Sequence, residues 1–185
     1  MKVVLVNGSP NANGCTFTGL SIIKEQLEKN GVDSEIYQVG KKPIIGCTAC
    51  STCKQPGKTG RCVFDNDMVN TVGQALREAD GIILGSPVHF ASASGAATSF
   101  FDRLFYSTEM SAKRLKFGAA IVSCRRGGNS ATLDQLNKYF TISQMPVVSS
   151  CYWNGIHGYT AEDVYADEEG VRIMRTLADN MAYLI

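Results

Sequence analysis

The most specific spacing in this chain belongs to four cysteines: Cys47-x2-Cys50-x2-Cys53, then x8 to Cys62. Three thiolates so spaced can wrap one [4Fe-4S] iron–sulfur cluster, and bacterial ferredoxin runs begin the same way. Cys62 would be the fourth ligand, because Pro56, Gly57 and Gly60 in the gap let the chain turn back. A zinc ribbon has two Cys-x2-Cys pairs, and Cys53-x8-Cys62 is not one. Reduced thiols without metal, a zinc ion and a disulfide stay open as alternatives. Cys15, Cys124 and Cys151 stand alone, as buried small side chains by default.

A second stretch, KVVLVNGSPNANGCT over 2–16, offers anion chemistry. An apolar run ends in Asn7 and enters a small polar loop that leads into a helix near Thr16. A helix N-terminus presents unpaired N–H groups and about half a positive charge. Ser9, Asn11, Asn13 and Thr16 add side-chain donors, Gly14 and Cys15 add backbone, and the loop has no Lys or Arg. Gly14 is followed by Cys15 rather than Lys, so this is not a P-loop, and Gly-x-Gly-x-x-Gly is missing. A neutral donor loop suits one phosphate monoester, as on FMN; the plain alternative is an ordinary strand–helix turn.

Two further loops carry suggestive types. Pro87, Val88, His89 and Phe90 could border a planar ring, with His89 as a weak candidate for proton transfer. Ser123, Arg125, Arg126, Gly127 and Gly128 combine close backbone approach with an Arg pair able to face an anionic ring or phosphate. Their plain alternatives are core packing and solvated surface charge.

Alternating strands and helices must position these groups. Strands are expected at 2–7, 34–39, 81–85, 117–124 and 146–151. Helices are expected at 16–30, after a cap at Asp65 or Asn66, at 95–106, 131–144 and 168–184, from apolar spacing and stop signals. Five such strands imply a three-layer α/β sandwich. Its parallel sheet would run 2-1-3-4-5, flavodoxin-like, with helices on both faces and a ligand crevice where strands one and three diverge. One domain over 1–185 is expected, with a Cys-rich insertion at 40–64.

Composition excludes other classes. Lys+Arg is 18 against Asp+Glu 17, a net charge of +1, with no electrostatic footprint for nucleic acid or membrane. The apolar runs fall far below the ~20 residues of a bilayer span. No export signal is legible, so a cytoplasmic, reducing setting is expected for the seven cysteines.

Gly8-Ser9-Pro10, Gly85-Ser86-Pro87-Val88 and the Phe101-Asp102-Arg103 turn, in that order, resemble the NAD(P)H-dependent FMN reductase and iron–sulfur flavoprotein group. The resemblance implies an FMN phosphate on Ser9, Asn11, Asn13, Gly14, Cys15 and Thr16. It implies an isoalloxazine ring between 87–90 and 123–128, although the position of His89 is more often aromatic in the group. NAD(P)H would be co-substrate, and a quinone, nitro or azo compound, or free flavin the acceptor. The chemistry would be borne by the flavin. Iron–sulfur flavoproteins have a similar cysteine motif with a last gap usually shorter than x8, so an electron carrier holding FMN and a [4Fe-4S] cluster is an alternative. A non-enzymatic flavodoxin-like binding protein is another. Members commonly form dimers or tetramers. A homodimer or larger is expected, with aromatics of 100–106 (Phe100, Phe101, Phe105, Tyr106) and 152–159 (Tyr152, Trp153, Tyr159) at the contact.

Overall fold

In the computed structural model, which describes residues 1–58 and 60–185, a parallel sheet lies between two helical layers. Its strands are β1 (Lys2–Asn7), β2 (Asp33–Gln38), β3 (Gly81–His89), β4 (Ser92–Ala93), β5 (Phe117–Cys124) and β6 (Gly155–His157). The path is β2-β1-β3-β5-β6, and β4 pairs antiparallel with the end of β3. Without that short hairpin arm, the order is the expected 2-1-3-4-5.

The helices are α1 (Cys15–Lys29), α2 (Val69–Glu78), α3 (Gly95–Ser107), α4 (Asn129–Ile142), α5 (Ala161–Ala166) and α6 (Glu168–Leu184). Strand alternation sorts the core into two. Val4, Val6, Ile82, Leu84, Ala120 and Val122 face one way, in one apolar cluster with residues of α2, α3 and α4. Val3, Leu5, Ile83, Ala119 and Ile121 face the other, with residues of α1 and α6. Both faces are buried, which is why β1, β3 and β5 read as continuous apolar runs.

Four expectations of the fold need correction. Cys151 is exposed rather than a buried small side chain. The fifth parallel strand is not 146–151. Val147 makes one bridge to Gly118, the chain leaves the sheet, and β6 rejoins at 155–157. Asn154 closes the gap: its carbonyl accepts from Val122 N–H at 3.0 Å and its side-chain amide donates to the Ala120 carbonyl at 3.0 Å. A side chain thus stands in for missing backbone. Helix α2 is not capped by Asp65 or Asn66. It starts after Met68, and Asp67 Oδ1 accepts from Val69 N–H at 3.0 Å. Phe100, Phe101 and Phe105 are core residues, so they offer no contact surface; Tyr106, Tyr152, Trp153 and Tyr159 are exposed.

Candidate flavin cleft and cysteine cavity

The parallel register sets Asn7 beside Gly85, and Pro87 beside Ser123, so three strand ends meet at one edge. There a cleft of about 570 Å³ is lined by Ser9, Pro10, Asn11, Asn13, Gly14, Cys15, Thr16, Pro87, Val88, His89, Ser123, Cys124, Arg125 and residues 158–162. Separate loops therefore converge as the donor pattern requires.

The first loop is built from its own side chains. Asn7 Oδ1 accepts from Ser9 N–H at 3.1 Å, Ser9 Oγ from Asn11 N–H at 3.1 Å, and Asn11 Oδ1 from Asn13 N–H at 3.2 Å. Such turns explain why Asn and Ser alternate here. The loop is pinned at Gly8, whose N–H donates to the Gly85 carbonyl at 2.9 Å and whose carbonyl accepts from Ser94 Oγ at 2.9 Å. A Cβ on Gly8 would fall 2.6 Å from Ala97 Cβ, so only glycine fits. Thr16 Oγ1 lies 2.8 Å from Ser123 Oγ, tying this loop to the end of β5.

Helix α1 begins without a side-chain cap at Gly14 and without an acidic residue in its first turn. Its N-terminal N–H groups therefore carry no capping side chain beside the buried hydroxyls of Ser9 and Thr16, while the Glu162 carboxylate lines the same cleft. A phosphate monoester fits this donor set. Arg125 adds the guanidinium of the lining, 5.7 Å from the Tyr159 ring centroid. Burial pushes the Cys15 thiol up, and its sulfur lies 3.2 Å from the Thr160 carbonyl.

Phe90, Arg126, Gly127 and Gly128 do not line the cleft. Phe90 stands fully exposed at the β3–β4 hairpin tip, where it and Ala91 have φ of +52° and +57°. Gly128 at φ +85° takes the left-handed turn before α4, within 2.9 Å of Ala91 Cα as measured from an added Cβ. Sequence reasoning missed 158–162. The signal was Thr160-x-x-Asp163, a capping box that starts α5 and brings its N-terminus to the cleft.

The second site lies toward the C-terminal end of α3. Cys47, Cys50, Cys53 and Cys62 all line one small cavity of about 20 Å³, together with Thr48, Ser51, Val63, Phe64, Arg103, Tyr106 and Ser107; Cys47 and Cys50 reach solvent. All four are free thiols. Among the described residues, no three His, Cys, Asp or Glu side chains converge closely enough for a single ion. Four thiols around one cavity are the donor set that a [4Fe-4S] cluster takes. Hydrogen bonds from Thr52 hold the Cys50 thiol below its usual range, and burial pushes the Cys53 thiol up. Ser94, which caps α3, touches the first loop, while Arg103 touches the cysteines nine residues later. That is about 13 Å along the helix.

A doubly wound sheet with its cleft where β1 and β3 part defines the flavodoxin-like class. Residues 1–160 match the NADPH-dependent FMN reductase family, and the chain belongs to that family. It is 30% identical to an iron–sulfur flavoprotein of Methanocaldococcus jannaschii, over 100% of this chain and 97% of that one. It is 27% identical to the NADPH-dependent FMN reductase of Escherichia coli, over 88% of this chain and 74% of that one. The solved structure of RosB with a bound riboflavin-phosphate intermediate superposes with a TM-score of 0.79 at 14% identity, over 100% of this chain and 78% of that one, a likeness of fold. The protein is thus an NAD(P)H-dependent oxidoreductase of the FMN reductase type, with FMN as cofactor. Among the described residues, no helix is long and apolar enough to cross a membrane.

Proposed function

We propose that the chain is a two-centre redox enzyme. FMN would sit in the strand-end cleft, and an iron–sulfur cluster would be held by Cys47, Cys50, Cys53 and Cys62. The observation that carries the second centre is that four cysteines spread over sixteen positions line one cavity. FMN, when bound, supplies two-electron chemistry with the nicotinamide and one-electron exchange with other carriers.

This chain's residues do the positioning. Ser9, Thr16 and the α1 N-terminus hold the phosphate. Pro87, Val88 and His89 border the ring from one side, Ser123 and Arg125 from the other. Arg125 places positive charge where a reduced ring or a nicotinamide phosphate would be anionic. The acceptor is a small quinone, nitro or azo compound, a flavin, or a protein carrier. The exposed Tyr152 and Trp153, on the excursion between Val147 and β6, support assembly as a homodimer or larger. Light scattering at micromolar concentration checks this; a monomeric mass refutes it. Free thiols throughout are in keeping with a reducing compartment.

The deciding experiment is anaerobic purification or reconstitution, followed by iron and acid-labile sulfide per chain and bleaching of the flavin by NADH or NADPH. Stoichiometric iron with bleaching supports both centres. Bleaching without iron leaves a plain FMN reductase. Iron without nicotinamide bleaching leaves an electron carrier.

A further inference from the structure

Arg103 is the largest fully buried side chain of the molecule, with 1% of its surface exposed. It projects from α3, and its guanidinium bonds reach three points of the cysteine segment and Asp67 just beyond it. Nε donates to Cys62 Sγ at 3.4 Å. One terminal nitrogen donates to the Ile45 carbonyl at 3.4 Å and to the Asp67 carboxylate. The other donates to the Phe64 carbonyl at 2.7 Å. The Phe64 ring packs 5.6 Å from the guanidinium carbon.

We propose that Arg103 is a positioning residue of the cysteine site, orienting the thiol of Cys62, whose backbone Asn70 holds at 2.8 and 3.0 Å, as the fourth ligand and raising the potential of the cluster. This rests on the cluster reading above.

A buried cation needs a partner, and Asp67 already supplies the compensating charge. The Nε–H to sulfur bond is additional. A neutral thiol accepts weakly, whereas a thiolate accepts a charge-assisted bond. Cysteine ligates as the thiolate, so this donor gains most when Cys62 holds metal. Hydrogen bonds and positive charge at ligand sulfur stabilise the reduced cluster and raise its potential. A planar five-donor fork on a rigid helix can hold positions 45, 62, 64 and 67 at once; a lysine cannot.

Two variants with opposite expected signs separate this role from simple bracing. Arg103→Lys keeps a charge and loses the fork. Asp67→Asn keeps an oxygen for Val69 N–H and removes the compensating charge, leaving the Arg103 charge unpaired beside the sulfur. Each full-length protein is reconstituted anaerobically with ferrous iron and sulfide. Iron and sulfide per chain, midpoint potential by EPR-monitored titration, and iron release to a chelator are measured, with flavin content as the fold check.

Arg103→Lys should lower the potential and release iron roughly tenfold faster or more. Asp67→Asn should raise the potential. A mere brace would loosen both variants without splitting their signs. Parent-like potentials in both, with full clusters, overturn the inference and leave the cluster reading standing. A parent that takes up no iron overturns both. Where Arg103→Lys does not retain flavin, Asp67→Asn decides: an upward shift supports the inference, and none or a downward one overturns it.

Discussion

The flavin cleft and the cysteine cavity lie near opposite ends of α3 and are built by opposite means. The cleft is assembled from strand ends in fixed register and from the N-termini of α1 and α5, so backbone ladders aim its donors. The cavity is assembled from an irregular segment whose shape comes from side-chain bonds to α2 and α3. Lys54 Nζ lies 4.7 Å from the Tyr106 ring centroid, Arg77 donates to the Gly60 carbonyl, and Arg103 takes the centre. The first site is therefore prepared by the fold before a cofactor arrives. The second depends on a few polar contacts and on what fills it.

Removing a cysteine should break this comparison most sharply. Cys62→Ser is expected to reduce iron per chain after reconstitution to near zero while flavin content stays at parent level. Loss of flavin as well would show that the two ends of α3 are coupled rather than separately built.

The reciprocal experiment acts on the cleft. Ser9→Ala with Thr16→Ala removes two hydroxyl donors to a charged group, roughly 1.5–3 kcal/mol each. Flavin dissociation, followed by fluorescence, should show at least a tenfold (~1.4 kcal/mol) loss of affinity, with iron content unchanged. Unchanged affinity would remove the phosphate from this loop.

A smaller effect is expected at the junction of β1 and the first loop. Gly8→Ala sets a Cβ 2.6 Å from Ala97 Cβ and 2.9 Å from the Gly85 carbonyl. Overpacking of this kind costs about 1–3 kcal/mol. The urea midpoint should drop accordingly, and flavin affinity should weaken with it.

The smallest test uses pH at the cavity end of α3. Lys113 is buried against Phe105, donates to its carbonyl, and burial pushes its pKa down to about 8. The unfolded value is about 10.4, so between the two the unfolded chain binds the extra proton and stability rises with pH. Relative to Lys113→Met, the parent should gain stability from pH 8 to pH 10, read as the difference between urea midpoints. Flavin affinity should not follow this difference.

Legibility in the sequence divides along the same line. The cleft could be read because strand and helix periods locate Ser9, Thr16, Pro87 and Ser123, and register does the rest. Residues 158–162 were not read because α5 is six residues long, too short for a period. The fifth strand was misplaced because Pro146-Val147-Val148 has strand composition, while the residue that restores the ladder is the polar side chain of Asn154. Phe100, Phe101 and Phe105 looked like contact aromatics, yet small residues such as Ala93, Ala97 and Ala120 leave them room in the core. Arg103 was quoted only as part of a motif. A charged residue on an amphipathic helix reads as solvent-facing until its contacts at 45, 62, 64 and 67 are seen.

The interrupted fifth strand has a further consequence. An open sheet ends in a row of unpaired N–H and C=O groups, a template on which a second chain can grow. Here that border offers three residues, Gly155–His157, after a six-residue detour from Val148. An incoming strand would find no continuous ladder to extend, and the Asn154 amide already occupies the Ala120 carbonyl. The detour thus makes this one border a poor template for edge-to-edge pairing, where a straight strand over 146–151 would have left a continuous ladder.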